Sequence, residues 1–441
     1  MEAFSPTPLD LGALDSQWLA PGTKGLPLSV PLRQGEVAAQ SWSLLDGDLS
    51  YPVAILKQSA LEHNGRWMQR FVAAAGASLA PHGKTTMSPQ LFERQRGAGA
   101  WAITVASVTQ MLTAQRFGVR RVLLANQPVG AAELDAMFAL LRDDPGFELF
   151  VLADSEAGLA RLVAAARRAR LKRPLPVLVE LGWVGGRTGC RGPEAALQLA
   201  RSVAAAEELV LSGIEGYEGL LVSGNRQADV TRVRDFLGQM LALLRTVDGE
   251  GLLGGAEILL SAGGSAYFDL VGEVFAGLEP LSRPVRRILR SGCYLTHDHG
   301  FYHKLLADMA ARTGAGAAHP IAADDLRPAL EVWAMVQGCP EPELAMLTLG
   351  KRDASHDIDL PFPVAWHRPG GPGAPQPLRG ATIEKMNDQH AYLRLPAGHG
   401  LEVGDLVCCG ISHPCTTFDK WKILLTVDDD YRVTGVVNTF F

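Results

Sequence analysis

The 441-residue sequence has little lysine, no long hydrophobic run and no regular cysteine framework. Lysine supplies only nine of the 41 basic residues, and the net charge of −6 indicates neither a nucleic acid nor an anionic membrane as partner. No run of about eighteen apolar residues occurs, which argues against a membrane-spanning helix. The six cysteines form no CxxC pair, so a disulfide scaffold is not indicated. The N-terminal residues lack the pattern of a secretory signal, and we therefore expect a cytoplasmic protein.

The composition is that of a globular protein with a large core, since 47% of the residues are hydrophobic and 20% are charged. A β/α barrel alone takes roughly 200–250 residues, so two domains are expected rather than three.

Residues 50–300 alternate short β-prone runs with helical stretches of period near 3.6. PVAIL (52–56) is predicted to be a strand and is followed by a helix. Eight further strands are predicted at 78–82, 101–104, 121–125, 147–151, 176–180, 212–217, 257–261 and 287–294. Such alternation favours a closed parallel (β/α)8 barrel. An open doubly wound sheet is the alternative, but no GxGxxG follows the first strand.

Beyond residue 320 the sequence changes to short β-prone segments separated by turn residues, and PGGPGAPQP (369–377) is predicted to be a loop. The predicted fold class is therefore α/β, with a barrel domain at 45–305. A smaller β-rich domain is expected at 306–441, completed by part of 1–44.

Unusual residues follow the predicted barrel strands, where the active site of a β/α barrel lies. They are Lys84 in PHGKTT, Arg187 in GGRTG, Tyr217 in EGYEG, the turn Gly263, Gly264 and Ser265, and the segment Arg290, Gly292, Cys293 and Tyr294. A lysine in a partly desolvated pocket can form an imine. Glycine-rich turns can offer backbone N–H groups to a phosphate. The pattern predicts a site for a phosphate-bearing aldehyde cofactor.

Each of these residues alone has a simpler explanation. A Gly-Gly-Ser turn is most often only a turn, Tyr217 could be a core residue of the barrel rim, and Lys84 could be a solvated loop residue. Their coincidence at successive strand ends favours the cofactor site.

His413 and Cys415 lie two residues apart near the C-terminus, so on an extended segment both would project from one face. Imidazole and thiolate suit Zn²⁺, and two protein ligands would leave positions open for substrate and water. A buried histidine and a buried thiol on a strand would explain the same residues, and that case is the commoner one. Cys408 and Cys409 are predicted to be core residues.

Together these motifs resemble the D-serine dehydratase and D-threonine aldolase family, whose barrel is that of alanine racemase, fold type III of the pyridoxal-phosphate enzymes. The resemblance covers roughly residues 50–430. The family's Pro-His-x-Lys-Thr motif is similar to Pro81–Thr85, which contains His82 and Lys84. Its Arg-Thr-Gly, Tyr-x-Gly, Gly-Gly-Ser/Thr and Arg-x-Gly-x-Tyr segments match Arg187–Gly189, Tyr217–Gly219, Gly263–Ser265 and Arg290–Tyr294.

The metal motif is the segment that best separates the dehydratases from the aldolases of this family. His413-Pro414-Cys415 matches the His-x-Cys of the dehydratases, while the aldolases carry His-x-Asp. His390 resembles an upstream family histidine, but Ala391 stands where glycine is usual. Gly182-Trp183 is a second departure from the family, because many relatives have an aspartate at this place.

The resemblance implies a dehydratase that converts D-serine or a related D-β-hydroxy amino acid to an oxo acid and ammonia. It implies pyridoxal 5′-phosphate on Lys84, which would also remove the Cα proton, and Zn²⁺ on His413 and Cys415 as the Lewis acid. Arg290 at the ring nitrogen would keep that nitrogen unprotonated. The alternatives are retro-aldol cleavage and a non-catalytic pyridoxal-phosphate-binding regulator. A racemase is a weaker alternative, and a homodimer is expected by analogy.

Overall fold

The computed structural model describes residues 7–313 and 320–441. Its α-helices are α1 (Gly12–Asp15), α2 (Gln58–Ala74), α3 (Pro89–Gly97), α4 (Val108–Arg116), α5 (Ala131–Asp143), α6 (Glu156–Ala169), α7 (Pro193–Ala205), α8 (Arg226–Gly249), α9 (Phe268–Ala276), α10 (Phe301–Thr313) and α11 (Pro414–Phe418). A two-stranded ribbon near the N-terminus pairs β1 (Trp18–Leu19) with β2 (Leu32–Arg33).

Eight parallel strands form the first sheet, as the sequence predicts. In chain order they are β4 (Ser78–Leu79), β5 (Ile103–Val105), β6 (Arg121–Leu124), β7 (Glu148–Ala153), β8 (Leu175–Gly182), β10 (Leu209–Gly216), β11 (Ile258–Ala262) and β12 (Val285–Leu289), with the short β9 (Cys190–Arg191) beside β8. Neighbours in the sheet follow chain order, except that β12 pairs with β4. A parallel bridge between His82 and Thr104 joins the first and second barrel strands, so the barrel is closed.

Strand residues alternate between the outside and the inside of the barrel, which explains why the lumen is filled. On β8, Val177 and Val179 belong to the outer core under the helices, while Leu178 points the other way. The inner cluster consists of buried residues from the barrel strands and the segments next to them, namely Ala80, Trp101, Ala102, Leu123, Leu152, Leu178, Leu259 and Ile288. These side chains fill the lumen, so the barrel offers a ligand the space above its strand ends and not its interior.

The second sheet is mainly antiparallel and belongs to the β-rich domain. Its strands are β3 (Val53–Lys57), β13 (Leu330–Glu341), β14 (Leu344–Leu347), β15 (Phe362–His367), β16 (Gln376–Pro377), β17 (Thr382–Met386), β18 (Ala391–Arg394), β19 (Leu406–Gly410), β20 (Ile423–Val427) and β21 (Val433–Asn438). The predicted strand at 52–56 therefore exists, but it pairs with β13 and β20 and not with the barrel. Cys408 and Cys409 are buried core residues in β19, as predicted.

The segment before residue 50 packs against both domains. Its Gln34 exchanges hydrogen bonds with Asn438 of β21, and Asn438 also accepts from Gln90 of α3. The predicted fold class, a β/α barrel of the alanine racemase type followed by a β-rich domain, is confirmed. Within 7–313 and 320–441, none of the helices has the length and apolar character needed to cross a membrane.

Candidate active site

A cavity of about 360 Å³ opens where the C-terminal ends of the barrel strands meet the β-rich domain. Its walls come from the loops after the barrel strands and from the segment that follows β19. The residues that line it are His82, Lys84, Thr85, Ala106, Ala125, Asn126, Leu152, Glu180, Arg187, Thr188, Glu215, Tyr217, Gly264, Ser265, Arg290, Gly292, Cys293, Tyr302, His413 and Cys415. The lining contains acids, bases and two thiols, so the cavity holds groups that can transfer protons or bind a metal ion.

Lys84 lies in a single 3-10 turn, Gly83–Thr85, that begins shortly after the end of β4. This turn carries the ammonium group to the mouth of the barrel, where the side chain is exposed to the cavity. Burial lowers the pKa of the neighbouring His82 well below its ordinary value, so its imidazole is neutral. Gly292 must be glycine, because a Cβ there would lie 2.5 Å from the carbonyl oxygen of His82. The segments after β4 and β12 are thereby in direct contact.

Arg187 and Tyr217 stand on the loops after β8 and β10, which are neighbours in the barrel. The guanidinium of Arg187 lies 5.0 Å from the centre of the Tyr217 ring, within the range of a cation–π contact. Glu180, the β8 residue that lines the cavity, is buried and accepts hydrogen bonds from Thr188 at 2.7 Å and from Gln127. This side of the cavity is therefore polar, and hydrogen bonds hold the Glu180 side chain in place.

The glycine turn after β11 is held by a carboxylate that the sequence analysis did not single out. Gly263 and Gly264 donate their N–H groups to the two oxygens of Glu218, at 3.0 and 2.9 Å. A Cβ on Gly264 would lie 2.7 Å from the Tyr217 ring, so the turn packs against that ring. Gly264 and Ser265 line the cavity.

Arg290 follows β12 and is buried together with its partner Glu215 of β10. Their closest atoms are 2.5 Å apart, and both side chains are 2% exposed. Arg290 also donates to Ser261 at 2.7 Å and to the carbonyl of Gly216 at 3.1 Å. Burial raises the pKa of Glu215 to about 8, although Arg290 opposes that shift. The contact fixes both side chains in the wall of the cavity.

Replacement of Arg290 by methionine is expected to lower the free energy of unfolding of the cofactor-free protein by about 3–5 kcal/mol, because Glu215 would remain buried without its partner. Urea denaturation measures the change. The control is Arg234→Met, since the Arg234–Glu273 pair is 44% and 59% exposed and should contribute less than about 1 kcal/mol. The double variant Arg290→Met/Glu215→Leu should recover part of the loss, and a single variant as stable as the parent would contradict the argument.

His413 and Cys415 reach the cavity from the β-rich domain. His413 has an extended backbone, but Pro414 begins the short helix α11, so the segment is not the continuous extended strand that was expected. The Nδ1 atom of His413 lies 2.6 Å from Asp357, which leaves Nε2 as the ligand atom. Asp357 also accepts from Thr416 at 2.8 Å, so its carboxylate has a fixed position.

The sulfur of Cys415 lies among polar groups of the barrel, 3.5 Å from the hydroxyl of Thr85 and 3.7 Å from the sulfur of Cys293. The hydrogen bond with Cys293, together with one from His413, holds the pKa of the Cys415 thiol well below its ordinary value. The hydrogen bond with Cys415 is also the largest cause that raises the pKa of His413 to about 9. The pair thus shares a proton that a bound metal ion would displace.

His413 and Cys415 are the two side chains of this cavity that the sequence suggests as metal ligands. Among the described residues, no group of three or more His, Cys, Asp or Glu side chains is arranged to hold a metal ion. A zinc ion held by these two side chains alone would have coordination positions left for other ligands.

The structure brings together nearly all the residues that the sequence analysis selected. Gly263 and Tyr294 are the two that do not line the cavity: Gly263 packs against Leu289, and Tyr294 is buried with its hydroxyl next to Gln95. His390 is exposed beside β18, on a separate surface depression with Cys339 and Tyr392.

Sequence reasoning missed Asn126, which lines the cavity, and five further polar residues that line it or hold its walls. The five are Glu180, Glu215, Glu218, Tyr302 and Asp357. The three glutamates carried a usable signal, because a carboxylate at or just after an apolar barrel strand needs a partner at the strand ends. Tyr302 and Asp357 follow no strand of the barrel, and nothing in their local sequence marks them.

Two family models match the chain, one in each domain. Residues 56–247 match the alanine racemase N-terminal domain. Residues 329–427 match the family described as "Putative serine dehydratase domain".

The proteins similar to this chain include aldolases as well as a dehydratase. The 3-hydroxy-D-aspartate aldolase of Paracoccus denitrificans (strain Pd 1222) is 26% identical over 321 residues, which is 72% of this chain and 76% of the aldolase. The structure of D-threonine aldolase from Filomicrobium marinum has a TM-score of 0.73 at 24% identity and covers 89% of this chain and 95% of its own. D-threo-3-hydroxyaspartate dehydratase from Delftia sp. HT23 has a TM-score of 0.67 at 22% identity, over 90% and 99% of the two chains.

Proposed function

Because the chain belongs to the alanine racemase-like, fold type III family of pyridoxal-phosphate proteins, we propose that its cavity binds pyridoxal 5′-phosphate and that the protein is a lyase for D-β-hydroxy amino acids. The proposed reaction is the dehydration of D-serine or a relative to an oxo acid and ammonia. The observation that carries the proposal is the position of His413 and Cys415, which line the same cavity as Lys84.

The cavity fits the cofactor in its polar groups as well as its size. Three buried atoms of its wall, His82 Nδ1, Glu215 Oε2 and Arg290 Nε, have no hydrogen-bond partner in the described part of the chain. Burying such groups without partners is costly, so a polar ligand would stabilise them. Pyridoxal phosphate bound there would supply an aldehyde and an electron-withdrawing ring.

Lys84 would hold the cofactor covalently and would then be the group that accepts the Cα proton of the substrate. Its Nζ has no hydrogen bond or ion pair within the described residues, so it is free to do both. Arg187 and Tyr217 would orient the ring from the side of β8 and β10. Arg290 is anchored by Glu215, Ser261 and Gly216, and would present a fixed positive charge.

His413 and Cys415 would be the protein ligands of a zinc ion, which would supply a Lewis acid close to the substrate hydroxyl. Asp357 acts through His413: by holding Nδ1 it selects the tautomer whose Nε2 can bind metal. One solved structure of a D-threo-3-hydroxyaspartate dehydratase is a cysteine-to-alanine variant in a metal-free form. The existence of a metal-free form implies that this relative can also bind a metal, and we propose Cys415 as a metal ligand in this chain.

Retro-aldol cleavage is the second candidate, because two of the similar proteins are named as aldolases. The same lysine and metal pair would serve either reaction, since the two differ in which bond of the substrate breaks. The His-x-Cys pair is the reason for preferring dehydration. We also propose a homodimer, following the family analogy.

The product test separates these candidates directly. With zinc present, D-serine is expected to yield pyruvate and ammonia, and D-threonine is expected to yield 2-oxobutanoate and ammonia. Cys415→Asp should raise the fraction of glycine, because it creates the His-x-Asp form of the pair. Chromatography of both product sets measures the outcome, with Cys339→Asp at an exposed position as control. Glycine and acetaldehyde as the chief products of the unmodified enzyme from D-threonine would replace the dehydratase proposal with the aldolase one.

A further inference from the structure

Glu218 is a buried carboxylate that binds two consecutive backbone amides. It lies in the 3-10 turn Glu218–Leu220 after β10 and has no exposed surface. The N–H of Gly263 donates to Oε2 at 3.0 Å, and the N–H of Gly264 donates to Oε1 at 2.9 Å. The carboxylate thus bridges the loops after two neighbouring strands, β10 and β11.

This contact changes which amides of the glycine turn can bind an anion. Each N–H has one hydrogen to donate, so the Gly263 and Gly264 amides are already used. The groups left for a phosphate are the amides of Ser265 and Gly292, both of which line the cavity and have no partner among the described residues.

Burial of the Glu218 carboxylate costs free energy, which its hydrogen bonds must offset. The two hydrogen bonds to the glycine turn give this residue a structural role there. Burial raises the pKa of Glu218, while its backbone hydrogen bonds and Arg290 oppose the shift. Gly263 has φ +94°, a region that glycine adopts freely, so the turn has no intrinsic preference for its observed shape. The two hydrogen bonds to Glu218 supply the missing restraint.

We propose that Glu218 is a positioning residue for the cofactor's phosphate. It fixes the Gly263–Gly264 turn before the cofactor binds and directs the phosphate to the amides of Ser265 and Gly292. The proposal rests on the proposed function, because it assumes that the cavity binds pyridoxal phosphate.

The test compares pyridoxal phosphate with pyridoxal, which lacks the phosphate but can still form the imine with Lys84. Absorbance titration of the cofactor-free enzyme gives both dissociation constants. In Glu218→Gln, one amide would face the NH₂ group of glutamine instead of an oxygen. We expect the affinity for pyridoxal phosphate to fall about tenfold or more, since a hydrogen bond to a charged group is lost. The affinity for pyridoxal should change less than about threefold.

Asp229→Asn is the matched control, because Asp229 is a buried carboxylate that accepts from Ser223 on the same loop but does not line the cavity. It should leave the ratio of the two affinities unchanged. A ratio that is also unchanged in Glu218→Gln, or an equal loss for both ligands, would overturn the proposal. If the parent enzyme binds neither ligand, the proposed function itself fails.

A second measurement uses only the unmodified protein and does not depend on whether the variant folds. Hydrogen exchange should show the Gly263 and Gly264 amides protected without cofactor, because Glu218 already binds them. The Ser265 amide should become protected only when pyridoxal phosphate is added. Glycine amides that exchange freely until the phosphate is present would overturn the proposal.

Discussion

Lys84→Ala is expected to lose the covalent cofactor link and at least about 10³-fold in turnover, since the nucleophile and the general base would be removed together. The purified parent enzyme should be yellow, and borohydride should fix the cofactor to a peptide that contains Lys84. The variant should stay folded, because the Lys84 side chain is exposed to the cavity and has no hydrogen bond or ion pair within the described residues. Absorbance, peptide mass spectrometry and thermal unfolding measure the three outcomes.

Lys57→Met gives the opposite pattern and serves as control. Its ammonium lies 3.6 Å from buried Glu331 and donates to the Tyr431 hydroxyl at 3.2 Å. This variant should unfold at a lower temperature while keeping the yellow colour. The assignment of Lys84 is wrong if the reduced cofactor is found on another lysine, or if Lys84→Ala turns over normally.

The barrel could be predicted from sequence because its signal is local and repeated. Each of the eight strands is a short apolar run followed by a helix, and the spacing of the apolar residues identifies both elements. The strand at 52–56 shows the limit of this signal. Its apolar run predicts a strand correctly, but its pairing with Leu330–Glu341 depends on residues almost three hundred positions away. A run of apolar residues carries no information about which sheet it joins.

The candidate site was predictable where chemistry and strand ends coincide. Lys84, one of few lysines in the chain, and Arg187 both lie in segments that follow barrel strands, and both line the cavity. The partners that orient the site could not be found in this way. Glu218 binds amides 45 and 46 residues later in the chain, and Asp357 binds His413 across 56 residues. Such pairs become visible only when the fold brings them together.

Removal of the metal is expected to abolish the lyase reaction without unfolding the protein. A Lewis acid supplies several kcal/mol of transition-state stabilisation, so turnover should fall roughly 10³-fold on chelation and return with Zn²⁺. Two protein ligands on an open site provide little of the folding free energy that closed zinc sites supply. The melting temperature and the bound cofactor should therefore remain nearly unchanged. Elemental analysis, turnover and thermal unfolding follow the three properties in the same sample.

Substitutions around the metal pair should weaken zinc binding in a graded order. Asp357→Asn should cost about 10–100-fold in affinity, because it loosens the orientation of His413 without removing a ligand. Cys415→Ser should cost more than that, since a ligand sulfur is lost, and Cys339→Ser at an exposed site should cost nothing. Competition with a zinc-sensitive dye gives the three affinities. Full activity in metal-stripped protein would refute the Lewis-acid role, and equal affinities for Cys415→Ser and the parent would remove Cys415 from the ligand set.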